Sequence, residues 1–301
     1  MKLARALAAI GRTMITAGVL ILLFVVYQLW GTGIHTRQQQ DNAEDEFNRQ
    51  LEANGLEELP EATNETQPIR NRRQPIPDPP AHGEVIGVIE IPAIGARYFF
   101  FAGVDLPTLE KGPGHYEGTP LPGQEGNAGI AGHRTTYLAP FNRLDEVGDG
   151  DRIIVTYSNG SRFVYEYLNT NIVTPDRTDV LEYKFDNRLT LTACHPKYSA
   201  AERIIVSARL LDRPARGGPN PQQGQTEQEI PSFEGESIDG DDHARTPAVV
   251  WGVAAAMVWL AAWVIGRAWR RWPMYALGLP LFLVMLYGFF ENFSYFLPSS
   301  Y

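Results

Sequence analysis

The fold of this chain is decided by residues 189–206, which read LTLTACHPKYSAAERIIV. Leucine and threonine alternate ahead of Cys194, and this period of two predicts a β-strand with one buried face. His195-Pro196 ends that strand, because proline has no N–H to donate inside a sheet. A second strand is predicted from Arg203 onward, so the pattern places Cys194 and Arg203 at the same end of one strand pair.

The residue types alone leave two interpretations of this pair open. Cys194 is the only cysteine among 301 residues, and it is either a nucleophile or a small buried apolar side chain. Arg203 is either a fixed cation beside that nucleophile or an ordinary solvated charge. The residue types do not distinguish a catalytic pair from a structural one, so evidence from other parts of the chain is needed.

The surrounding chain predicts a domain made mainly of short strands. Asn159-Gly160 is a strong hairpin signal, and the only helices predicted nearby are single turns at 107–112 and 140–144. Many short strands without a long helix favour a closed or half-closed β-barrel, here across residues 84–212, a length sufficient for one core. The strands predicted upstream of residue 189 span 84–92, 97–103, 129–132, 152–157 and 162–173.

Two histidines are candidate partners for the thiol. His133 ends a short buried strand and can reach a cysteine, where it would raise the thiolate fraction. His115 lies in an earlier loop and is the second candidate, whereas His195 is expected to face away from Cys194 because neighbours on a strand alternate. A purely structural histidine remains the alternative at positions 115 and 133.

Several function classes are excluded by pattern and charge. The sequence has no glycine-rich phosphate loop and no paired metal-ligand spacing, so no cofactor and no metal are predicted. The formal net charge of −9 argues against nucleic-acid binding.

Three motifs resemble the signatures of the sortases. They are Gly132-His133-Arg134, the run TLTAC at 190–194, and Arg203. Sortases are membrane-anchored cysteine transpeptidases of Gram-positive bacteria with an eight-stranded β-barrel, so the resemblance implies this fold. The runs KGPGHY at 111–116 and CHPKYSA at 194–200 are similar to the class E sortases of actinobacteria in particular. Ala193 departs from the family, since many members have threonine there.

The resemblance implies a role for each matching residue. Cys194 would attack the Thr–Gly carbonyl of a sorting signal, and His133 would act first as acid and then as base. Arg203 would hold the substrate backbone and stabilise the oxyanion. The resulting thioester would be resolved by an amino group of the peptidoglycan precursor. A protein with one unpaired cysteine also avoids wrong disulfides outside the cell.

Three further residues are candidates for substrate binding: Tyr116, His115 and Thr192. Class E resemblance implies a signal of the LAXTG type in place of LPXTG. Alanine at the second signal position frees a backbone N–H that proline lacks, and the hydroxyl of Tyr116 could bind it.

Three apolar segments predict a multi-pass membrane protein. The first follows the basic residues Lys2, Arg5 and Arg12, and three arginines lie between the second and third segments. By the positive-inside rule both basic regions are cytoplasmic, which places the catalytic domain outside the membrane. The resemblance to class E sortases implies that this membrane is of the Gram-positive, actinobacterial type. The expected partners are surface proteins bearing a sorting signal, the peptidoglycan precursor and the lipid bilayer.

The expected organisation therefore has nine parts. Within the spacer, residues 41–58 could form a short helix, but a mobile stalk is expected overall. The parts are a cytoplasmic N-terminus (1–13), transmembrane helix (14–30), extracytoplasmic spacer (31–83), sortase-like catalytic domain (84–212), disordered acidic linker (213–247), transmembrane helix (248–265), basic cytoplasmic loop (266–272), transmembrane helix (273–290) and extracytoplasmic tail (291–301).

Two other functions stay open at this point. One is a class C-like pilin polymerase, whose lid carries Asp-Pro-aromatic, although Asp78-Pro79 is followed here by Pro80. The other is a catalytically idle barrel that acts as a binding module.

Overall fold

The structure is a computed structural model that describes residues 2–56, 74–183, 186–215, 242–268 and 271–294. The chain divides into two compact units, one of residues 1–31 with 236–299 and one of residues 32–235 with 300–301. Most of the expected acidic linker lies outside the described residues, as do 57–73 of the spacer, 269–270 of the basic loop and 295–301 of the tail.

The larger unit contains a closed eight-stranded barrel, which confirms the predicted fold. Its order around the barrel is β1-β2-β3-β4-β7-β8-β6-β5, and β5 pairs with β1 to close it. The pairs β2–β3 and β4–β7 are parallel, and the other pairs are antiparallel. The strands are β1 (Val85–Ile91), β2 (Ala96–Ala102), β3 (Gly114–His115), β4 (Asn127–Ala131), β5 (Arg152–Thr156), β6 (Arg162–Val173), β7 (Arg188–His195) and β8 (Glu202–Leu210).

The period-two pattern of β7 decides which side chains fill the barrel. Leu189, Leu191 and Ala193 belong to the main apolar core. Because successive side chains on a strand point to opposite faces, Thr192 and Cys194 lie on the outer face. The strand that supplies the core therefore also presents the thiol outside it.

A 22-residue helix occupies the part of the chain where a mobile stalk was expected. The N-terminal helix α1 (Lys2–Val26) ends in a π-helical turn at Tyr27–Gly31, and α2 (Thr32–Ala53) begins at the next residue. The short helix α3 (Leu106–Leu109) lies farther along the chain, between β2 and β3.

Helix α2 packs on the barrel. Ala43, Phe47 and Leu51 are buried on the outer face of β1 and β2, against an apolar cluster that includes Phe99. Their spacing of four residues puts them on one face of the helix. Gln40 adds two hydrogen bonds to the same strand, donating from Nε2 to the Phe99 carbonyl (2.9 Å) and accepting from the Phe99 N–H (2.8 Å).

The smaller unit contains the apolar helices α1, α4 (Asp242–Ala268) and α5 (Arg271–Ser294). Among the described residues, two stretches are long and apolar enough to cross a membrane by length and composition, Pro247–Arg267 and Ala276–Phe293. The prediction of three spans is therefore corrected to two candidates. The apolar part of α1, Ile10–Val26, has 17 residues, which at about 1.5 Å each falls short of the ~30 Å hydrocarbon core.

Candidate active site

The hairpin of β7 and β8 sets Cys194 against Arg203. The two residues are register partners in this antiparallel pair, at the same end of the strand pair, where the sequence pattern predicts them. Both are buried, with 3% of Cys194 and 7% of Arg203 exposed. The Arg203 guanidinium donates from Nη1 to the carbonyls of Ala200 (3.0 Å) and Glu202 (3.1 Å), which fixes it against the β7–β8 turn.

His133 reaches the same region through a parallel strand pair. Ala131 at the end of β4 is the register partner of Thr192 in β7, and the Gly132 N–H donates to the Thr192 carbonyl (3.0 Å). In parallel strands, the second residue beyond each partner lies at the same level. This pairing accordingly brings His133 level with Cys194.

Gly132 allows the loop after His133 to fold back closely. A Cβ at this position would lie 2.6 Å from the ring of Phe141, so a larger residue would have to displace that ring. The Phe141 N–H donates to the His133 carbonyl (3.1 Å) and closes the loop. The imidazole has its Nδ1 3.4 Å from the Thr136 hydroxyl, and its ring centroid lies 4.8 Å from that of Tyr137.

Arg134 is a second arginine beside the nucleophile. Its side chain is 2% exposed, and Nη1 donates to the Cys194 carbonyl at 3.4 Å. Nε donates to the Asn142 carbonyl (2.9 Å), and Nη2 forms an ion pair with Asp145 (2.7 Å). Sequence reasoning named Arg134 only as part of a motif and missed this contact, which joins residues 60 positions apart.

The environment of Cys194 favours the neutral thiol. Burial raises its pKa to about 11, and the positive charges of Arg203 and Arg134 only partly oppose this effect. A group with that pKa is ionised in about one molecule in 10⁴ at pH 7. The thiol therefore has to lose its proton as it reacts.

Tyr116 and Thr192 form a buried hydroxyl pair at the same site. The Tyr116 hydroxyl lies 3.1 Å from the Thr192 Oγ1, and the tyrosine ring packs in a small apolar cluster with Leu181. Burial raises the pKa of Tyr116 well above its ordinary value, while the hydrogen bond to Thr192 and the charge of Arg203 oppose the rise. The structure thus brings two of the three substrate-binding candidates beside the thiol.

His115, the third of these candidates, is held elsewhere. Burial lowers its pKa to about 4, so the imidazole is neutral at pH 7. Because a carbonyl only accepts, Nε2 must carry the proton that it donates to the Pro120 carbonyl (2.9 Å). The ring lines a cavity with Pro79 and Pro80, and it neighbours Tyr116 along the chain, which places the two on opposite faces.

The Asp78-Pro79-Pro80 segment packs beside α2. Asp78 and Pro80 line a cavity of about 430 Å³ together with Gln39 and Glu46 of that helix. Cys194 is not among the residues that line it. This position does not match a lid over the thiol.

The chain is similar in sequence to known proteins of one family. A sortase domain model matches residues 89–211. Sortase D of Bacillus subtilis is 32% identical over an alignment of 201 residues, and the match covers 65% of this chain and 95% of that protein. The chain belongs to the sortase family.

Other sortases have similar sequences or structures. Sortase SrtE1 of Streptomyces coelicolor is 31% identical over an alignment of 229 residues, and the match covers 71% of this chain but only 59% of that longer protein. A solved Clostridium perfringens Sortase D5 transpeptidase is 27% identical, covers 58% of this chain and 96% of its own, and has a TM-score of 0.43. Sortases are in general cysteine transpeptidases that act on proteins bearing a sorting signal and on peptidoglycan.

No cluster of three or more His, Cys, Asp or Glu side chains suited to a metal ion occurs within the described ranges.

Proposed function

We propose that this sortase cleaves a sorting signal of the LAXTG or LPXTG type between Thr and Gly and joins the surface protein to a peptidoglycan amino group. The observation that supports the proposal is that the adjacent strands β4, β7 and β8 carry the three candidate residues at or just beyond their ends. Cys194 and Arg203 are partners in the β7–β8 hairpin, and the parallel β4–β7 pair brings His133 level with them.

In the first half of the proposed reaction, the Cys194 sulfur forms a bond to the threonine carbonyl carbon. Because burial keeps the Cys194 thiol neutral, His133 first takes the thiol proton, a step that precedes the acid and base roles implied by the resemblance. The charge that develops on the carbonyl oxygen is stabilised by the Arg203 guanidinium. The carbon–nitrogen bond to glycine then breaks, and the leaving amine takes the proton from His133. The product is a thioester on Cys194.

The second half repeats these steps with a different amine. An amino group of the peptidoglycan precursor attacks the thioester carbon, and His133 accepts its proton. The carbon–sulfur bond breaks and the Cys194 sulfur takes the proton back. A new amide joins the surface protein to the cell wall, and the enzyme returns to its starting state.

The buried thiol is suited to this cycle. With a pKa of about 11, Cys194 carries little charge at neutral pH, so it resists adventitious modification until a substrate and His133 act together. The fixed guanidiniums of Arg203 and Arg134 are the groups that favour negative charge at this position.

The C-terminal helices are proposed as the membrane anchor. Pro247–Arg267 and Ala276–Phe293 would cross the bilayer as a hairpin with the arginine-rich loop on the cytoplasmic side, leaving the barrel outside. A protease site inserted after Arg271 should then be protected in intact cells, and cleavage there without permeabilisation would contradict this orientation.

Class E is the proposed subgroup. The runs at 111–116 and 194–200 resemble that class, and the 31% identity to SrtE1 supports it. The class C-like alternative lacks support, because the segment at Asp78 lines a cavity with α2. The other alternative is a catalytically idle barrel that acts as a binding module. Measurement of peptide turnover distinguishes it from an enzyme, because an idle barrel would bind the peptide without cleaving it.

The test is cleavage and transfer by the full-length chain in detergent. Peptides with Ala or Pro at the second signal position are mixed with a primary-amine acceptor, and products are identified by mass. Cleavage with transfer, lost in Cys194→Ala and reduced at least about 100-fold in His133→Ala and Arg203→Ala, is expected.

His115→Ala is the matched control for His133→Ala, since it removes the same side chain from a different environment. It should retain most of the activity. Undiminished cleavage by Cys194→Ala would refute the proposal that the protein is a cysteine transpeptidase. Equal losses of activity in His115→Ala and His133→Ala would mean that His133 has no special role in catalysis.

A further inference from the structure

The loop that follows His133 is held by helix α2, at the point where the larger unit begins. We infer that Tyr137 is a positioning residue for the His133 imidazole, and that the first turn of α2 holds Tyr137 in place. This inference rests on the proposed role of His133 as acid and base.

The tyrosine ring covers the imidazole. Their ring centroids are 4.8 Å apart with an angle of 36° between the planes, which is contact distance for two aromatic groups. Thr136, one residue earlier, places its hydroxyl 3.4 Å from Nδ1 of the same imidazole. Two consecutive residues of this loop therefore limit how the His133 ring can turn.

The loop backbone adopts a conformation that needs outside support. Tyr137, Leu138 and Ala139 have φ values of 50°, 63° and 46°, three successive left-handed residues without a glycine. Residues with a Cβ adopt this region rarely and at an energetic cost. Such a run persists only where surrounding contacts hold it.

Contacts from α2 and from two other elements supply that support. The Tyr137 N–H donates to the Thr32 Oγ1 (3.3 Å), and the Tyr137 hydroxyl donates to a Glu110 carboxylate oxygen (2.8 Å). The Thr36 hydroxyl donates to the Glu110 carbonyl (2.8 Å), so α2 also holds the residue that binds Tyr137. The Tyr98 hydroxyl donates to the loop's next carbonyl, at Leu138 (3.2 Å).

The α2 residues that support the loop are buried, whereas the loop residues 137–139 are half-buried. Thr32 is 3% exposed and Thr36 is fully buried. A Cβ on Gly33 would lie 3.1 Å from the Leu138 side chain, so the helix backbone itself approaches the loop closely. Buried residues at the start of α2 therefore support the loop segment 137–139.

The chemical consequence concerns orientation. His133 must present one nitrogen both to the thiol and to the leaving amine, and small errors in the placement of such a group lower the rate steeply. A ring held between Tyr137 and Thr136 is already oriented when a substrate arrives. Loss of the support should therefore reduce kcat more than it changes KM.

The experiment compares variants of the full-length chain in the peptide assay. Tyr137→Leu removes the ring and the hydroxyl, Tyr137→Phe keeps the ring, and Thr32→Val removes the oxygen that accepts from the loop. Phe47→Leu is the control, because it alters packing of α2 on β2 at a position away from the loop.

We expect kcat to fall about 10-fold in Tyr137→Leu with KM within about twofold of wild type, a loss on the scale of a misplaced catalytic group. Tyr137→Phe should recover most of that loss, and Thr32→Val should fall between wild type and Tyr137→Leu. Phe47→Leu should lower the unfolding midpoint without changing kcat.

Three results would overturn the inference. They are an unchanged kcat in Tyr137→Leu, equal kcat losses in Phe47→Leu and Tyr137→Leu, or a Phe variant as impaired as Leu. If Tyr137→Leu does not fold, an unchanged kcat in Thr32→Val overturns it. An active His133→Ala enzyme would instead refute the proposed function, so the two failures are distinguishable.

Discussion

The buried thiol of Cys194 should react with iodoacetamide about 100-fold faster at pH 10 than at pH 8. Only the thiolate reacts, and a pKa of about 11 makes the thiolate fraction about 10⁻³ at pH 8 and about 10⁻¹ at pH 10. Steric protection of the site lowers both rates equally, so the ratio reports the ionisation alone.

The same measurement tests the role of the second arginine. Arg134 contributes positive charge that lowers the pKa of the Cys194 thiol, so its removal should raise that pKa further. Arg134→Met should slow alkylation at pH 8 by about threefold to tenfold, a small charge effect on a partly shielded group. Arg134→Lys should restore part of the rate, because it keeps the charge.

Intact mass measurement is suited to this assay, because the chain has one cysteine and can take only one label. Circular dichroism at each pH excludes unfolding, and a urea-unfolded sample gives the rate of the accessible thiol. A rate that is already constant between pH 7 and pH 9 would refute the reasoning. It would mean that Cys194 is a thiolate at neutral pH, held as an ion pair.

Three other predictions concern stability and specificity. The pKa of buried His115 is lowered from 6.5 to about 4, so the unfolded chain binds a proton first as the pH falls. Stability should thus decline from pH 6.5 to 4 by about 3 kcal/mol more in wild type than in His115→Phe, as measured by urea unfolding. Phe47→Ala should lower the free energy of unfolding of the barrel unit by about 3 kcal/mol, because it empties a buried site between α2 and β2; no loss in urea unfolding would mean that α2 does not support the barrel. Tyr116→Phe removes the bond to Thr192 and the hydroxyl proposed to recognise an Ala signal, so the ratio of kcat/KM for Ala and Pro peptides should fall about 2- to 13-fold, and a constant ratio would exclude Tyr116 as the selector.

Much of the barrel can be predicted from the sequence, because each strand is indicated by a pattern of neighbouring residues. Alternation of Leu and Thr before Cys194 predicts both the strand and the face on which the thiol lies. The β7–β8 connection joins the register partners His195 and Glu202, so the next pair along the two strands is Cys194 with Arg203. The number of strands came from the family resemblance and not from the pattern itself.

The position of His133 depends on a long-range pairing. Strand β4 meets β7 in parallel, and no local signal specifies which distant strand a short buried segment will join. The residues alone therefore left His115 and His133 as alternatives. The motif resemblance favours His133, and the register of β4 against β7 agrees with it.

The sequence predicts at most a short helix at 41–58 within a mobile spacer, whereas α2 covers Thr32–Ala53, because the apolar residues of this segment are few. Ala43, Phe47 and Leu51 are four residues apart, which is the spacing of one helix face, but they lie in a polar segment that suggests a solvated spacer. These three residues are buried only because Phe99 and its apolar neighbours on β1 and β2 lie opposite them, and the local sequence does not show that contact. Arg134 was missed for a similar reason, because its contact with the Cys194 carbonyl joins two distant parts of the chain.

The central claim is that Cys194 forms a thioester with the threonine of a sorting signal. The most direct measurement is the intact mass of the full-length chain after brief mixing with an Ala-type signal peptide, quenched in acid without an acceptor amine. The account predicts an added mass equal to the acyl fragment, located on Cys194, removed by hydroxylamine and absent from Cys194→Ala. Cleavage of the peptide with no adduct on Cys194, or with an adduct that persists in Cys194→Ala, would contradict it.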